Sequence, residues 1–216
     1  MIPLHDENPT RTFPIFTIGL IAANTLVFFW ELSLAREGTQ FITEYGLVPY
    51  QLTNRPLENY PNIFSSMFMH AGLGHLAGNM LYLWIFGNNI EDQLGKLRFV
   101  LFYLTCGALA AAAHVSAELD STIPMVGASG AISGILGAYL MLFPFSRVKT
   151  LVFLGFFITI VRIPAIFLLL LWIGLQVLNN MAAGPDGGGV AWLAHIGGFI
   201  VGAVLIHPFR MSARTG

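Results

Sequence analysis

The chain alternates long apolar runs with shorter polar joints. Crossing the hydrocarbon core of a bilayer takes roughly 20 consecutive apolar residues in a helix. Six stretches approach that length, at about 13–33, 73–92, 96–117, 127–143, 163–181 and 190–208. Between the first and second lies a polar segment, about 34–70, carrying Arg36, Glu37, Glu44, Pro49, Arg55, Glu58 and Pro61. It is longer than an ordinary connector and is expected to be a structured loop. No repeat or low-complexity tract interrupts the pattern. It predicts an all-α polytopic membrane protein, a six-transmembrane-helix bundle with a long loop between helices 1 and 2. Residues 1–216 are read as a single membrane domain.

One further apolar run, Leu151–Val161, has only 11 residues. That is too short to span, and it is expected to be re-entrant or interfacial. Arg147 and Lys149 precede it and Arg162 follows. Basic residues prefer the cytoplasmic side, so both ends are placed there. With six spans and the N-terminus inside, eight cations are cytoplasmic: Arg11, Lys96, Arg98, Arg147, Lys149, Arg162, Arg210 and Arg214. Only Arg36 and Arg55 remain outside, together with the acids Glu37, Glu44, Glu58, Glu118, Asp120 and Asp186.

Composition agrees with a lipid environment. The 216 residues are 56% hydrophobic and 10% charged, with a mean hydropathy of +0.72, where a soluble domain is about a quarter charged. A net charge of −1 excludes a polybasic nucleic-acid binder. The lone cysteine, Cys106, forms no intrachain disulfide and reads as a small core residue. Asp6 and Glu7 stand where a cleavable signal would be basic, so the first helix is expected to serve as its own insertion signal. A bacterial inner membrane is the expected location.

Polar groups inside membrane helices are costly, and each needs a reason. The six-span arrangement puts four on one side: His75 and Asn79 near the start of the second helix, Ser129 at the start of the fourth, and His195 early in the sixth. A seventh span at Leu151–Val161 would move His195 to the opposite face. The fourth helix, Gly127 to Phe143, is shorter than the bilayer core is thick, so Ser129 is expected at the floor of an aqueous pocket. A helix N-terminus there supplies unpaired N–H groups and a dipole suited to an oxyanion.

Serine is a weak nucleophile without a base, and a neutral imidazole such as His195 is suited to take its proton. None of the 11 acids sits mid-helix on the outer side, so a Ser-His dyad is expected rather than a triad. His75 and Asn79 share a helix face at i, i+4 and are candidates for the oxyanion hole. Gly130/Gly134 and Gly198/Gly202 are G-x-x-x-G pairs beside the two catalytic candidates. With Gly127 they are assigned to close helix packing.

A lone Ser or His in a membrane helix more often packs than reacts; the joint placement of four such groups carries the reading. His70 is read as shaping its loop, His114 as bonding locally and Ser133 as packing. Gly127-Ala128-Ser129-Gly130-Ala131 is not the G-x-S-x-G elbow of a soluble α/β-hydrolase.

These residues resemble the rhomboid intramembrane serine proteases. Gly127-Ala128-Ser129-Gly130 is similar to that family's G-x-S-G, and Ala194-His195 through Gly198 to Gly202 to its A-H-x-x-G-x-x-x-G. His70, His75 and Asn79 match its H-x-x-x-x-H-x-x-x-N, and Glu91 and Gly95 also fit. The resemblance implies a Ser129–His195 dyad and an oxyanion hole from the Ser129 backbone, His75 and Asn79. It implies no metal or cofactor, and substrates that are single-pass membrane proteins, reached from the extracytoplasmic side of the lipid bilayer. Two departures stand out. Pro61-Asn62 replaces a Trp-Arg common in the first loop. Ser133 stands where many members carry an aromatic stacked on the catalytic histidine. A catalytically inactive rhomboid-like factor that binds membrane proteins is the alternative. A histidine-based transporter lacks the usual mid-membrane acid and any metal-binding spacing.

Overall fold

The computed structural model describes residues 1–34, 38–155, 157–183 and 190–211. Arg36, Glu37, Asp186 and Arg214, counted in the charge balance, lie outside them. A short strand, β1 (Ile2–Asp6), precedes α1 (Ile15–Ser33). The long loop folds as four small helices, α2 (Gly38–Tyr45), α3 (Pro49–Asn54), α4 (Pro56–Asn59) and α5 (Asn62–Ser65). Helix α6 (Leu73–Tyr82) continues through a π turn at Leu83–Gly87 into α7 (Asn88–Leu94). Gly95, at φ 77°, breaks the chain into α8 (Lys96–Ala117). Then come α9 (Ser129–Leu142), strands β2 (Arg147–Leu154) and β3 (Phe157–Pro164), α10 (Ala165–Ala182) and α11 (Trp192–Met211).

Among the described residues α1, α8, α10 and α11 are each long and apolar enough to cross a membrane. The continuous helix from Leu73 to Leu94 is interrupted by its π turn, and α9 has only 14 residues, about 21 Å of rise. The chain is therefore a predominantly helical, polytopic membrane protein. Helix α9 is the innermost element, with Ile135, Leu136, Ala138 and Tyr139 fully buried, and it packs chiefly against α11 and α8.

Glycine sets that packing. A Cβ at Gly202 would overlap the Gly134 carbonyl, and one at Gly198 would overlap the Gly130 carbonyl. Gly137 lies equally close to the Phe199 carbonyl. Bare backbones can approach this closely, and lipid offers no hydrophobic drive to replace such contact. Gly127 departs from its assignment to helix packing. It precedes α9 at φ 126° and faces the His75 and Asn79 side chains.

The Leu151–Val161 run is a β-hairpin, not a re-entrant segment. Strands β2 and β3 pair antiparallel from Arg147↔Pro164 to Leu154↔Phe157, and Gly155, at φ 62°, turns the chain between them. Thr, Val, Ile and Phe dominate the run, and these residues favour a pleated strand. Strand β1 pairs antiparallel with β2, Ile2 opposite Leu151, to complete a three-stranded sheet. Both ends of the run still lie at the same end of the bundle, because the hairpin returns the chain to where it left.

At that end the start of α1 is capped from a distance. The Glu91 carboxylate accepts from the Thr17 N–H and hydroxyl, both at 2.7 Å, and from the Phe16 N–H at 3.1 Å. Asp92 does the same for Arg11 and Thr12. The Glu91 oxygens fill bare N–H groups of the helix start, while Asp92 holds the segment that leads into it. Beside them Asp6, from β1, accepts from Tyr139 Oη and Asn89 Nδ2, each at 2.8 Å.

Candidate active site

The starts of α6, α9 and α11 meet at the opposite end of the bundle, with the C-terminal part of α10. Ser129 is the first residue of α9, and His195 lies in the first turn of α11. His195 Nε2 is 2.8 Å from Ser129 Oγ, a hydrogen-bond distance. The close glycine contacts of α9 and α11 bring these two side chains together.

The other imidazole nitrogen meets a residue that sequence reasoning passed over. His195 Nδ1 lies 2.8 Å from Gln176 Oε1, on α10. The Gln176 amide nitrogen points away, to the Trp172 carbonyl at 3.4 Å. Its oxygen therefore faces the ring, and Nδ1 carries the hydrogen that it accepts. Nε2 is left as the acceptor facing Ser129. Trp172 and Trp192 flank the ring, with centroids 6.0 and 6.1 Å away, where the expected aromatic on α9 is replaced by Ser133. The Ser133 hydroxyl turns back to the Ser129 carbonyl at 2.6 Å and is fully buried. The signal for Gln176 was present: it is a polar side chain inside an apolar helix.

His75 and Asn79 stand on the other side of Ser129. A Cβ placed on Gly127 would lie 2.8 Å from His75 Nε2 and 3.6 Å from Asn79 Nδ2. Both side chains thus aim at the backbone two residues before Ser129. Asn79 Nδ2 is buried and has no partner among the described residues. The first N–H groups of α9 emerge beside it, without intrahelical acceptors. Gly127 itself is fixed by its N–H bond to the Ser66 carbonyl at 2.8 Å.

His70 is buried next to this group. Its ring meets His75 edge-on at 5.1 Å, and its backbone N–H approaches Glu31 Oε2 at 3.5 Å. His114 Nδ1 has no partner among the described residues, and the side chain lines the same cavity as Ser129. Among the described residues no group of three His, Cys, Asp or Glu is placed to hold a metal ion.

Ser129, His195, Gln176, His75, Asn79 and His114 line one cavity of about 1190 Å³, whose lining also includes Glu118, Asp120, Ser121 and Thr122. The long loop is tied to the segment that delivers Ser129. Leu47 and Met125 exchange backbone hydrogen bonds at 3.1 and 2.8 Å, and the Tyr50 N–H reaches the Ser121 carbonyl at 2.9 Å. Asn62, where many rhomboid sequences carry arginine, donates to the Glu44 and Gly46 carbonyls at 2.9 and 3.1 Å. A neutral amide clamps the loop here.

Comparison with known proteins fits this arrangement. The Rhomboid domain family model matches residues 58–212. The Rhomboid protease GluP of Bacillus subtilis is 32% identical over 196 residues, which is 90% of this chain and 36% of that protein. Rhomboid protein 1, mitochondrial, of Saccharomyces cerevisiae is 31% identical over 62% of this chain and 38% of its own length. The RHOMBOID-like protein 12, mitochondrial, of Arabidopsis thaliana is 28% identical over 87% of this chain and 56% of its own length. The chain thus spans between about a third and just over half of these relatives. Since the family model takes in α6 to α11 and every residue gathered around Ser129, the chain belongs to the rhomboid family.

Proposed function

We propose that this chain is an intramembrane serine endopeptidase that cleaves transmembrane segments of single-pass membrane proteins through Ser129 and His195. The observation that carries it is the pair of hydrogen bonds through one imidazole, Ser129 Oγ to His195 Nε2 and His195 Nδ1 to Gln176 Oε1, each 2.8 Å. The pair lies in a cavity flanked by His75 and Asn79. A pair of this order is what a serine nucleophile needs: a base within reach and a group that holds the base in one tautomer.

In the reaction, Ser129 Oγ attacks the scissile carbonyl and its proton passes to His195 Nε2. The carbonyl oxygen becomes an oxyanion beside the Ser129 N–H, Asn79 Nδ2 and His75 Nε2. Losing one such donor costs about 2.7–4 kcal/mol of transition-state stabilisation. His195 then protonates the departing amine, leaving an acyl ester on Ser129. Water, activated by His195, hydrolyses that ester and restores both groups. The cavity is large enough to bring this water in. Gln176 accepts one hydrogen bond throughout and is a positioning residue, not an acid or base.

With the N-terminus cytoplasmic, the cavity opens to the extracytoplasmic side of a bacterial inner membrane. The test uses a fluorescent fluorophosphonate on the chain in mild detergent, compared with Ser129→Ala and His195→Ala. Wild-type labelling that both substitutions abolish is the expected result. A folded wild type that never labels would favour an inactive relative that only binds membrane proteins. Labelling that survives Ser129→Ala would point to another nucleophile.

A further inference from the structure

The β2–β3 hairpin has no role in the chemistry around Ser129, which lies at the other end of α9. Its sequence from Leu151 to Val161 contains no charge. In a hairpin, cross-strand partners share a face. One face therefore carries Lys149 with Arg162, then Leu151 with Ile160, then Phe153 with Ile158 toward the turn. The other face begins with Val148 and Thr150, both fully buried against the bundle. Val161, the partner of Thr150, is already 41% exposed, and toward the turn the cover ends: Phe157 on this second face is 76% exposed, and Phe153 and Ile158 on the first are 51% and 64% exposed. The hairpin thus projects beyond the helices, apolar on both faces at its tip and basic at its base.

We propose that this tip is a membrane-docking element, seated in the interfacial layer of the leaflet opposite the Ser129 cavity, with its basic base on anionic lipid headgroups. Three observations favour lipid over a protein partner. First, a partner packed on the sheet would cover one face, whereas both faces of the tip are apolar and exposed; a fluid apolar medium covers both. Second, β3 runs through Pro164 straight into α10, whose exposed Phe167, Leu170 and Leu171 begin a lipid-facing surface. The hairpin therefore starts at the membrane boundary. Third, the cations sit where headgroups would be. Among the described residues Lys149 and Arg162 form ion pairs with one carboxylate, Glu7, at 3.9 and 2.8 Å, while Arg147 stands beside them.

The strand edge limits the depth. Among the described residues β3 pairs only with β2, so the outward N–H and C=O groups of β3 need water or headgroups. The hairpin then lies along the interface while Phe153, Phe157, Ile158 and Ile160 reach the first acyl carbons.

The test labels Phe157→Cys with a nitroxide in the full chain, reconstituted in phosphatidylcholine vesicles with and without phosphatidylglycerol. Cys106 is fully buried, and the chain lacking Phe157→Cys serves as the blank. The expected result is that oxygen collisions exceed those of a water-soluble nickel complex, more so with phosphatidylglycerol. Replacing Lys149 and Arg162 by Gln should remove that lipid dependence. Dominant nickel collisions would place the tip in water and overturn the proposal. Exclusion of both reagents would mean that protein covers the tip, a second copy if the spectrum is dipolar-broadened, and would overturn it equally. Equal depth in both vesicle types would refute the headgroup contact.

Discussion

Gln176 is the residue on which the candidate active site differs most from what its sequence announces. Ser129, His195, His75 and Asn79 were legible because polar groups in apolar runs are costly and these four fall at corresponding helix starts. Gln176 obeys the same rule but lies near the end of its helix, far from any motif, and only the fold brings it to His195. If it fixes the tautomer, Gln176→Leu is expected to slow fluorophosphonate labelling about 10- to 100-fold, roughly 1.4–2.7 kcal/mol. Gln176→Glu, which keeps an acceptor, is expected to retain most of the rate and to shift its pH profile. Equal rates for wild type and Gln176→Leu would leave orientation to Trp172 and Trp192 alone.

Among the elements, α9 and α11 depend on bare backbone. The G-x-x-x-G spacing marked this contact in the sequence, and the structure adds which carbonyl each glycine faces. Gly202→Val puts a branched side chain against the Gly134 carbonyl and is expected to cost ~3 kcal/mol, read as a lowered thermal midpoint in detergent. Gly174 on α10 has open space around its Cβ position, so Gly174→Ala should leave the midpoint unchanged or raise it slightly. The hairpin was illegible as a strand pair because a short apolar run has the same periodicity in a buried helix segment as in a strand. Its Thr, Val, Ile and Phe content and Gly155 were the signals to weigh. Strand β1 left even less trace, since its partner lies almost 150 residues away, at Leu151 opposite Ile2.

The molecule as a whole joins two ends that do different work. One holds the candidate active site, and the other holds a buried polar knot of Asp6, Tyr139 and Asn89. Burial raises the Asp6 carboxyl above its ordinary 3.8, although the Tyr139 hydrogen bond, His5 and the Asn89 hydrogen bond pull it down. The folded state therefore favours the protonated acid. The stability this contributes is fully present below pH 3.8 and is lost as pH rises through the raised value. Asp6→Asn keeps an acceptor for Tyr139 and removes the titration. Its thermal midpoint is expected to vary less with pH above 3.8 than that of wild type, and an unchanged slope would exclude Asp6 as the source.

The Glu91 cap also bears on the order in which the protein is made. A ribosome delivers α1 before α7, and its opening N–H groups remain without the Glu91 carboxylate until 74 more residues have followed. Strand β1 waits longer still, because β2 emerges only after α9. The segment from β1 to α1 is thus made well before the residues that hold it, and its lock closes only when α7 and β2 have followed.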